Sequence, residues 1–144
     1  MTSLIYLDNS TTARPSEKVI SAMMPYWTTY WGIPTTPHQK GQELYPFLTE
    51  YYKTLYAFLG AKENDQIILT SSGAEAVNHV ISSAYRDITL TTGKNQFLTS
   101  KADEASSMMA ISRLEPFGCV GKMIEVNAQG IVTPQALADT LSPR

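Results

Sequence analysis

A run of small residues separates two more regular stretches of the sequence and has the character of an anion-binding turn. Residues 70–74 read Thr-Ser-Ser-Gly-Ala. The short apolar run before them, residues 66–69, is typical of a buried strand, and good helix formers follow. The free N–H groups of a first helical turn and the positive end of the helix dipole attract anions. We therefore expect either a phosphate site here or a plain turn in which a serine caps the helix.

Few other side chains have the setting of a catalytic group. Cys119, the one cysteine, follows a glycine at an expected strand start, which favours a small buried hydrophobe over a nucleophile. His38 lies in a loop and is either near a substrate or a partner in structural hydrogen bonds, whereas His79 is expected to be structural. Lys101 is expected at the surface. No clustering of Cys and His indicates zinc, so no metal site is predicted.

Two helices are expected before the turn. Pro15 suits the opening of the first helix, and Pro25 inside it predicts a kink or an early break. Its apolar residues recur at helical spacing and form a face expected to be core: Val19, Ile20, Met23, Met24 and Trp27. The second helix is expected over residues 39–59, with Gly60 as its stop. Its four tyrosines indicate either ordinary core packing or a contact with another subunit.

Strands and helices are expected to alternate from residue 66 onward. The predicted order is strand, helix, strand, helix, strand and helix over residues 66–69, 73–86, 95–99, 103–114, 120–126 and 133–141. This alternation favours an α/β fold with parallel strands and right-handed crossovers. Ligands in such sheets bind beyond the carboxyl ends of the strands, where residues 71–74 and 100–104 both fall. The two loops predict a site at that edge.

The composition excludes several classes of function. The net charge is −2 at pH 7, with no run of like charges, which argues against nucleic acid or an anionic membrane surface as a partner. No stretch approaches the ~20 apolar residues of a membrane span. The first residues lack the features of a signal peptide, so we expect a cytoplasmic protein.

Several motifs resemble those of the cysteine desulfurases, which belong to the class V aminotransferases. Residues 5–14 read Ile-Tyr-Leu-Asp-Asn-Ser-Thr-Thr-Ala-Arg and are similar to the family's opening Y-L-D-N-x-A-T-T. Residues 32–41 are similar to G-N-P-S-S-x-H-x-x-G, and residues 70–78 to T-S-G-A-T-E-S-x-N. The resemblance covers nearly the whole chain. Its N-terminal motif is fairly specific, whereas the small-residue turn is shared by many pyridoxal-phosphate enzymes of the same fold.

The resemblance implies that the expected phosphate belongs to pyridoxal 5′-phosphate (PLP). It assigns the phosphate to the backbone N–H groups of Gly73 and Ala74, with Ser72 nearby. Two loops would line the substrate entrance, partly from across a dimer interface, and their candidate residues are Asn9, Thr12 and His38.

Three positions depart from the family pattern. The family's threonine hydroxyl falls on Ala74, which removes one hydrogen bond to the phosphate. The histidine that stacks on the cofactor ring falls on Glu104, whose ionised carboxylate is neither a stacking partner nor the same acid/base. Glu104 is therefore either a different cofactor contact or a solvated residue that favours a helix dipole. The asparagine of G-N-P falls on Ile33.

The resemblance also implies an architecture. The fold class is α/β: an N-terminal arm at residues 1–14, a helical segment at 15–60 and, at 61–144, the first part of the large PLP-dependent transferase domain. That domain is a three-layer α/β/α arrangement with a mostly parallel sheet, and we expect it to continue in a longer protein or in a second chain that completes it.

The expected activity is removal of sulfur from cysteine, or a related amino-acid reaction such as transamination, in a homodimer. The family's Schiff-base lysine lies later in its chains, so we expect no catalytic residue within these 144 residues and no activity from them alone. The alternative is a non-catalytic degenerate relative, or a fragment, that serves as a binding or assembly protein.

Overall fold

The chain divides into two compact units, with the boundary between Gln66 and Ile67. The computed structural model describes residues 5–142. The described part of the N-terminal unit is helical, and that of the C-terminal unit contains both helices and strands.

Three helices form the described part of the N-terminal unit: α1 (Glu17–Thr28), α2 (Gln39–Gln42) and α3 (Tyr45–Leu59). Helix α1 begins after Ser16, whose hydroxyl oxygen accepts a hydrogen bond from the amide of Val19. Helix α3 ends at Gly60, which adopts the left-handed conformation with φ of 65°. The C-terminal stop predicted at Gly60 is confirmed, because glycine reaches this conformation without steric cost.

The structure differs from two expectations for these helices, and both involve proline. Of the kink or early break predicted at Pro25, only the early break is wrong, and the kink stays a prediction. The early break at Pro25 does not occur, since α1 continues to Thr28 and the carbonyl of Pro25 accepts the amides of Thr29 and Tyr30. The single helix expected over residues 39–59 is instead two helices. Pro46 explains the division, because its ring would clash with the carbonyl four residues earlier, at the last residue of α2, and it fits the first turn of a new helix.

The apolar face of α1 was predicted to be core and is exposed. Its five large side chains are between 43% and 67% exposed. Periodicity identifies the face of a helix that favours burial, but it does not identify what covers that face. The tyrosines of α3 behave similarly, since Tyr45 and Tyr51 are more than half exposed, which does not support ordinary core packing. Among residues 5–142, no helix is both long and apolar enough to cross a bilayer.

The C-terminal unit alternates helices and strands after residue 72. Its elements in order are α4 (Gly73–Ala84), a π-helical turn (Tyr85–Thr89), α5 (Leu90–Thr92), β1 (Gln96–Ser100), α6 (Ala105–Ser112), a 3-10 turn (Glu115–Phe117), β2 (Val120–Ile124) and α7 (Pro134–Thr140). The helix that was predicted to end near Arg86 is followed from Tyr85 by the π-helical turn. Helix α5 comes next and is capped by Gly93. Thr133 caps α7 as predicted, because its hydroxyl accepts the amide of Ala136.

Strands β1 and β2 form a parallel pair, in register from Gln96 opposite Val120 to Ser100 opposite Ile124. Helix α6 is the crossover between them and packs against both strands. Ile111 of α6 is 2% exposed, and a Cβ placed on Gly121 of β2 would lie 2.6 Å from its Cγ2 methyl. The glycine thus allows the helix to approach the sheet closely. The parallel pair confirms the predicted α/β character of this unit.

The strand predicted at residues 66–69 is absent from the structure. The segment has no ladder partner among the described residues, and Ile68 and Leu69 are 63% and 70% exposed. A strand exists only where a neighbour supplies hydrogen bonds, and no described strand lies beside this one. The sheet within residues 5–142 therefore has two strands rather than three, and the three-layer, mostly parallel arrangement stays a prediction.

Candidate functional site

Helix α4 begins at the small-residue turn, and Ser72 is its N-cap residue. Ser72 has extended backbone angles, φ −163° and ψ 163°, and its Oγ accepts the amide of Glu75 at 3.2 Å. Its carbonyl oxygen accepts the amide of Ala76 at 3.1 Å. The predicted serine cap is therefore confirmed, and it fixes where the helix starts.

Glu75 in the first turn of α4 is bound to the residue before the cap. Its Oε2 accepts hydrogen bonds from the backbone amide and from the hydroxyl of Ser71, both at 2.6 Å. The hydroxyl bond first, and then the amide bond, lower the pKa of Glu75 below its ordinary value. This carboxylate resembles the glutamate of a capping box, displaced by one residue, and it gives the turn a defined shape.

Two backbone amides at the start of α4 remain available to a ligand. Among residues 5–142, the N–H groups of Gly73 and Ala74 have no acceptor, as expected for the first residues of a helix. Apart from its chain neighbours and the backbone of α4, no described heavy atom would lie within 4 Å of a Cβ placed on Gly73, so the space beside it is open. Gly73 does not adopt a positive φ, so its backbone does not require glycine. We call Ser72, Gly73 and Ala74 the amide cradle.

The cradle has the donor chemistry that an anionic oxygen needs. Two adjacent N–H groups point in similar directions at a helix start, and the dipole of the 12-residue α4 adds a partial positive charge. No acceptor within residues 5–142 engages either amide, so a phosphate would replace no hydrogen bond of the described structure. The residues present therefore fit a phosphate group.

The second predicted loop, residues 100–104, follows β1. Asp103 shapes it, since its Oδ2 accepts the amide of Ser100 at 2.7 Å and the hydroxyl of Thr99 at 2.8 Å. The bond from the Ser100 amide, followed by that from Thr99, lowers the pKa of Asp103. Sequence reasoning missed this residue, although an aspartate three residues after a serine is a recognisable turn signal.

Glu104 is the N-cap residue of α6, and its side chain makes no capping hydrogen bond. It is exposed, and no hydrogen bond within residues 5–142 joins it to the amide cradle. Helix α6 nevertheless packs against α4 within the C-terminal unit. Nearby Lys101 pairs with Glu125 at 2.8 Å and is half exposed, which confirms its predicted surface position.

The candidate residues near the N-terminus lie in a tight turn organised by Asp8. Its carbonyl accepts the amides of Thr11 and Thr12, and its carboxylate accepts the hydroxyl of Thr11 at 2.7 Å. The phenol of Tyr6 donates to the carbonyl of Thr12 at 2.8 Å. Asp8 is thus the cap of this turn. Asn9 and Thr12 are exposed on this turn, in the N-terminal unit.

His38 caps α2. Its Nδ1 accepts the amide of Gly41 at 3.3 Å, so the neutral ring carries its proton on Nε2. Gly41 is buried, and a Cβ on it would lie 2.6 Å from the carbonyl oxygen of Ile33 and 2.7 Å from that of Thr36. The expected role of His38 as a partner in structural hydrogen bonds is confirmed, and its position near a substrate stays a prediction.

The structure therefore brings together three of the predicted site residues, Ser72, Gly73 and Ala74. Glu104 lies at the start of a neighbouring helix, while the N-terminal turn and His38 belong to the other unit. Cys119 is 5% exposed, and burial raises its pKa, as expected of a small buried hydrophobe and not of a nucleophile.

Comparison with known proteins gives consistent matches. The family model "Aminotransferase class-V" matches residues 5–144. A cysteine desulfurase from Bradyrhizobium diazoefficiens is 29% identical over 140 residues, which is 97% of this chain and 35% of that protein. A cysteine desulfurase from Gluconacetobacter diazotrophicus is 32% identical over 141 residues, 97% of this chain and 34% of the relative.

A solved structure matches as well. A NifS-like protein superposes with a TM-score of 0.82 over 94% of this chain and 36% of its own, at 20% sequence identity, which shows a shared fold. The chain spans about a third of the length of these relatives. The matched family is PLP-dependent. With a family model that matches residues 5–144, this chain belongs to the class V aminotransferase family.

Proposed function

We propose that this chain supplies the phosphate-binding part of a PLP-dependent enzyme that removes sulfur from cysteine or carries out a related amino-acid reaction such as transamination. The observation that carries the proposal is the amide cradle: two N–H donors that have no acceptor among the described residues, beside open space, at the start of α4. They occupy the motif at which the family binds the cofactor's phosphate.

Each residue of the cradle has a defined role in this proposal. Gly73 and Ala74 donate their amide hydrogens to phosphate oxygens, and the dipole of α4 favours the phosphate charge. Ser72 and Glu75 fix the first turn of the helix through their capping bonds. When bound, PLP withdraws electrons from the α-carbon of an amino acid. The sequence has no S-x-H-K motif, so the proposal assigns binding and not proton transfer to these residues.

Glu104 distinguishes this chain from the usual family pattern. Its side chain has no capping bond, so its carboxylate is available to accept a hydrogen bond from a cofactor or substrate group. A carboxylate does not stack on the ring as an imidazole does, which favours a relative of the desulfurases with a modified ring environment.

A second copy of the protein is part of the proposal. The α1 face of Val19, Ile20, Met23, Met24 and Trp27 is apolar and exposed, as a surface covered by a subunit would be. We place the protein as a homodimer in the cytoplasm, with a small amino acid as substrate.

The test is reconstitution of the intact protein with PLP, followed by measurement of alanine formed from L-cysteine. The proposal predicts saturable PLP uptake and alanine formation that depends on it. PLP uptake without turnover of cysteine or of other amino acids would favour the binding or assembly role. Failure to take up PLP at all would contradict the proposal.

A further inference from the structure

The turn before α4 contains three hydroxyl groups, and they differ in the hydrogen bonds that they make. The hydroxyl of Thr70 donates to the carbonyl of Ser72 at 3.0 Å. The hydroxyl of Ser71 donates to Glu75 at 2.6 Å, and the ionised carboxylate, whose pKa this bond lowers, is a strong acceptor. Both protons are therefore used inside the turn.

Ser72 differs because its oxygen acts as an acceptor. The amide of Glu75 donates to Oγ, which leaves the hydroxyl proton of Ser72 without a described acceptor. A serine hydroxyl has one donor and two acceptor sites, so it caps the helix and donates elsewhere at the same time. Of the three hydroxyls, Ser72 alone has a proton free for a ligand, and it adjoins the two free amides.

The family motif indicates a role for the hydroxyl proton of Ser72. The family has glycine where this chain has Ser72, and threonine, a donor to the phosphate, where this chain has Ala74. The hydroxyl lost at position 74 is thus matched by one gained two residues earlier. The turn therefore contains three hydroxyl groups over residues 70–74, the same number as the family motif T-S-G-A-T.

We propose that the Ser72 hydroxyl is the third phosphate donor of the cradle and replaces the threonine that Ala74 lacks. The inference rests on the proposed function, because it concerns the same phosphate. It assigns Ser72 two simultaneous tasks: its oxygen holds the amide of Glu75, and its proton binds a phosphate oxygen.

The decisive variant is Ser72→Gly, which removes the hydroxyl yet keeps the helix start, since glycine is tolerated as an N-cap. The control is Ser71→Ala, which removes a hydroxyl already committed to Glu75. The rescue is Ser72→Gly with Ala74→Thr, which moves the hydroxyl to the family position. The dissociation constants of PLP and of pyridoxal, which lacks the phosphate, are measured for the intact protein and each variant by fluorescence titration.

A hydrogen bond to a charged group changes affinity by about tenfold or more. Ser72→Gly should therefore weaken PLP binding by about tenfold while pyridoxal binding is unchanged. The control should change the ratio of the two constants less than twofold, and the double variant should restore most of the loss. The ³¹P resonance of bound PLP should shift in Ser72→Gly and return toward its original position in the double variant.

The outcomes separate this inference from the function on which it rests. If the unaltered protein prefers PLP to pyridoxal and Ser72→Gly retains that preference, the role of Ser72 is refuted while the cradle stands. If the unaltered protein binds the two ligands equally, the phosphate site and the Ser72 proposal both fail. Helical circular dichroism checks that each variant is folded, and Ser72→Thr, which keeps cap and donor, should behave as the unaltered protein.

Discussion

Replacing Gly41 by alanine should displace the loop that leads into α2. A Cβ at this position would lie 2.6 Å from the carbonyl oxygen of Ile33 and 2.7 Å from that of Thr36, and would also meet the hydroxyl of Thr36. The hydroxyl can rotate away, but the two carbonyl oxygens belong to the backbone. Because the amide of Gly41 also bonds to His38, the change should disturb the cap of α2.

The magnitude follows from these distances. Ordinary contacts are about 3.5 Å, so the carbonyl oxygens must move by roughly 0.8 Å. Overpacking of this kind costs about 1–3 kcal/mol, and we expect the upper end because the carbonyl of Ile33 is fixed by two hydrogen bonds from Thr36. Alanine recovers up to about 1 kcal/mol through its helix propensity. The free energy of unfolding should therefore fall by about 2 kcal/mol.

Tryptophan fluorescence during urea denaturation measures this effect. The sequence has two tryptophans, and Trp31 lies beside the loop, with its ring 5.3 Å from the ammonium of Lys40. A Trp27→Phe background isolates its signal. The matched control is Gly73→Ala, because a Cβ at Gly73 would meet no described atom within 4 Å beyond its own helix and chain neighbours.

The control should change the unfolding free energy by less than about 0.5 kcal/mol. If Gly41→Ala is as stable as the control, the carbonyl oxygens of Ile33 and Thr36 do not lie as close to Gly41 as described. The account of how His38 is positioned would then be wrong as well.

Two further predictions concern the C-terminal unit. Asp103→Asn should lower the free energy of unfolding at neutral pH, because it weakens the loop after β1. The pKa of Asp103 is lowered from 3.8, so the loss of unfolding free energy relative to the unaltered protein should be complete above pH 3.8. It should vanish as the pH falls through the lower pKa of the folded state. Parallel urea titrations from pH 2 to 7 measure it, and a pH-independent difference would contradict the charged hydrogen bonds. Ile111→Ala should lower the unfolding free energy by about 3 kcal/mol, because the side chain is 2% exposed. Met109→Ala on the same helix, 58% exposed, is its control, and equal effects would contradict the packing of α6 on the sheet.

The features that the sequence predicted correctly are mostly local. Gly60 and Thr133 end and begin helices because their own backbone or side chain satisfies the terminal groups. A serine cap was expected at α4 as the alternative to a phosphate site. The structure identifies the cap as Ser72, whose position beside two free amides follows directly from the cap. A local rule requires no knowledge of distant neighbours.

The failures depend on neighbours that a sequence pattern does not specify. Residues 66–69 have the composition of a strand, yet pairing with another strand decides whether one forms. The apolar face of α1 indicates burial without naming what covers it. In the candidate site, the bonds of Glu75 to Ser71 and of Asp103 to Ser100 and Thr99 were missed, although both are short-range and carry turn signals.

The central claim is that the free amides at the start of α4 bind the phosphate of PLP. Gly73→Pro tests it most directly, because proline removes one N–H at the first helical position, where it is well tolerated, and the extended Ser72 suits a following proline. Gly73→Ala keeps the N–H and is the matched control.

The measurement is the PLP dissociation constant of the intact protein and of the two variants, with pyridoxal titrated in parallel. The account predicts that Gly73→Pro weakens PLP binding by about tenfold or more, that Gly73→Ala does not, and that pyridoxal affinity is the same in all three. Equal PLP affinity in the proline and alanine variants would contradict the claim that these amides hold the phosphate.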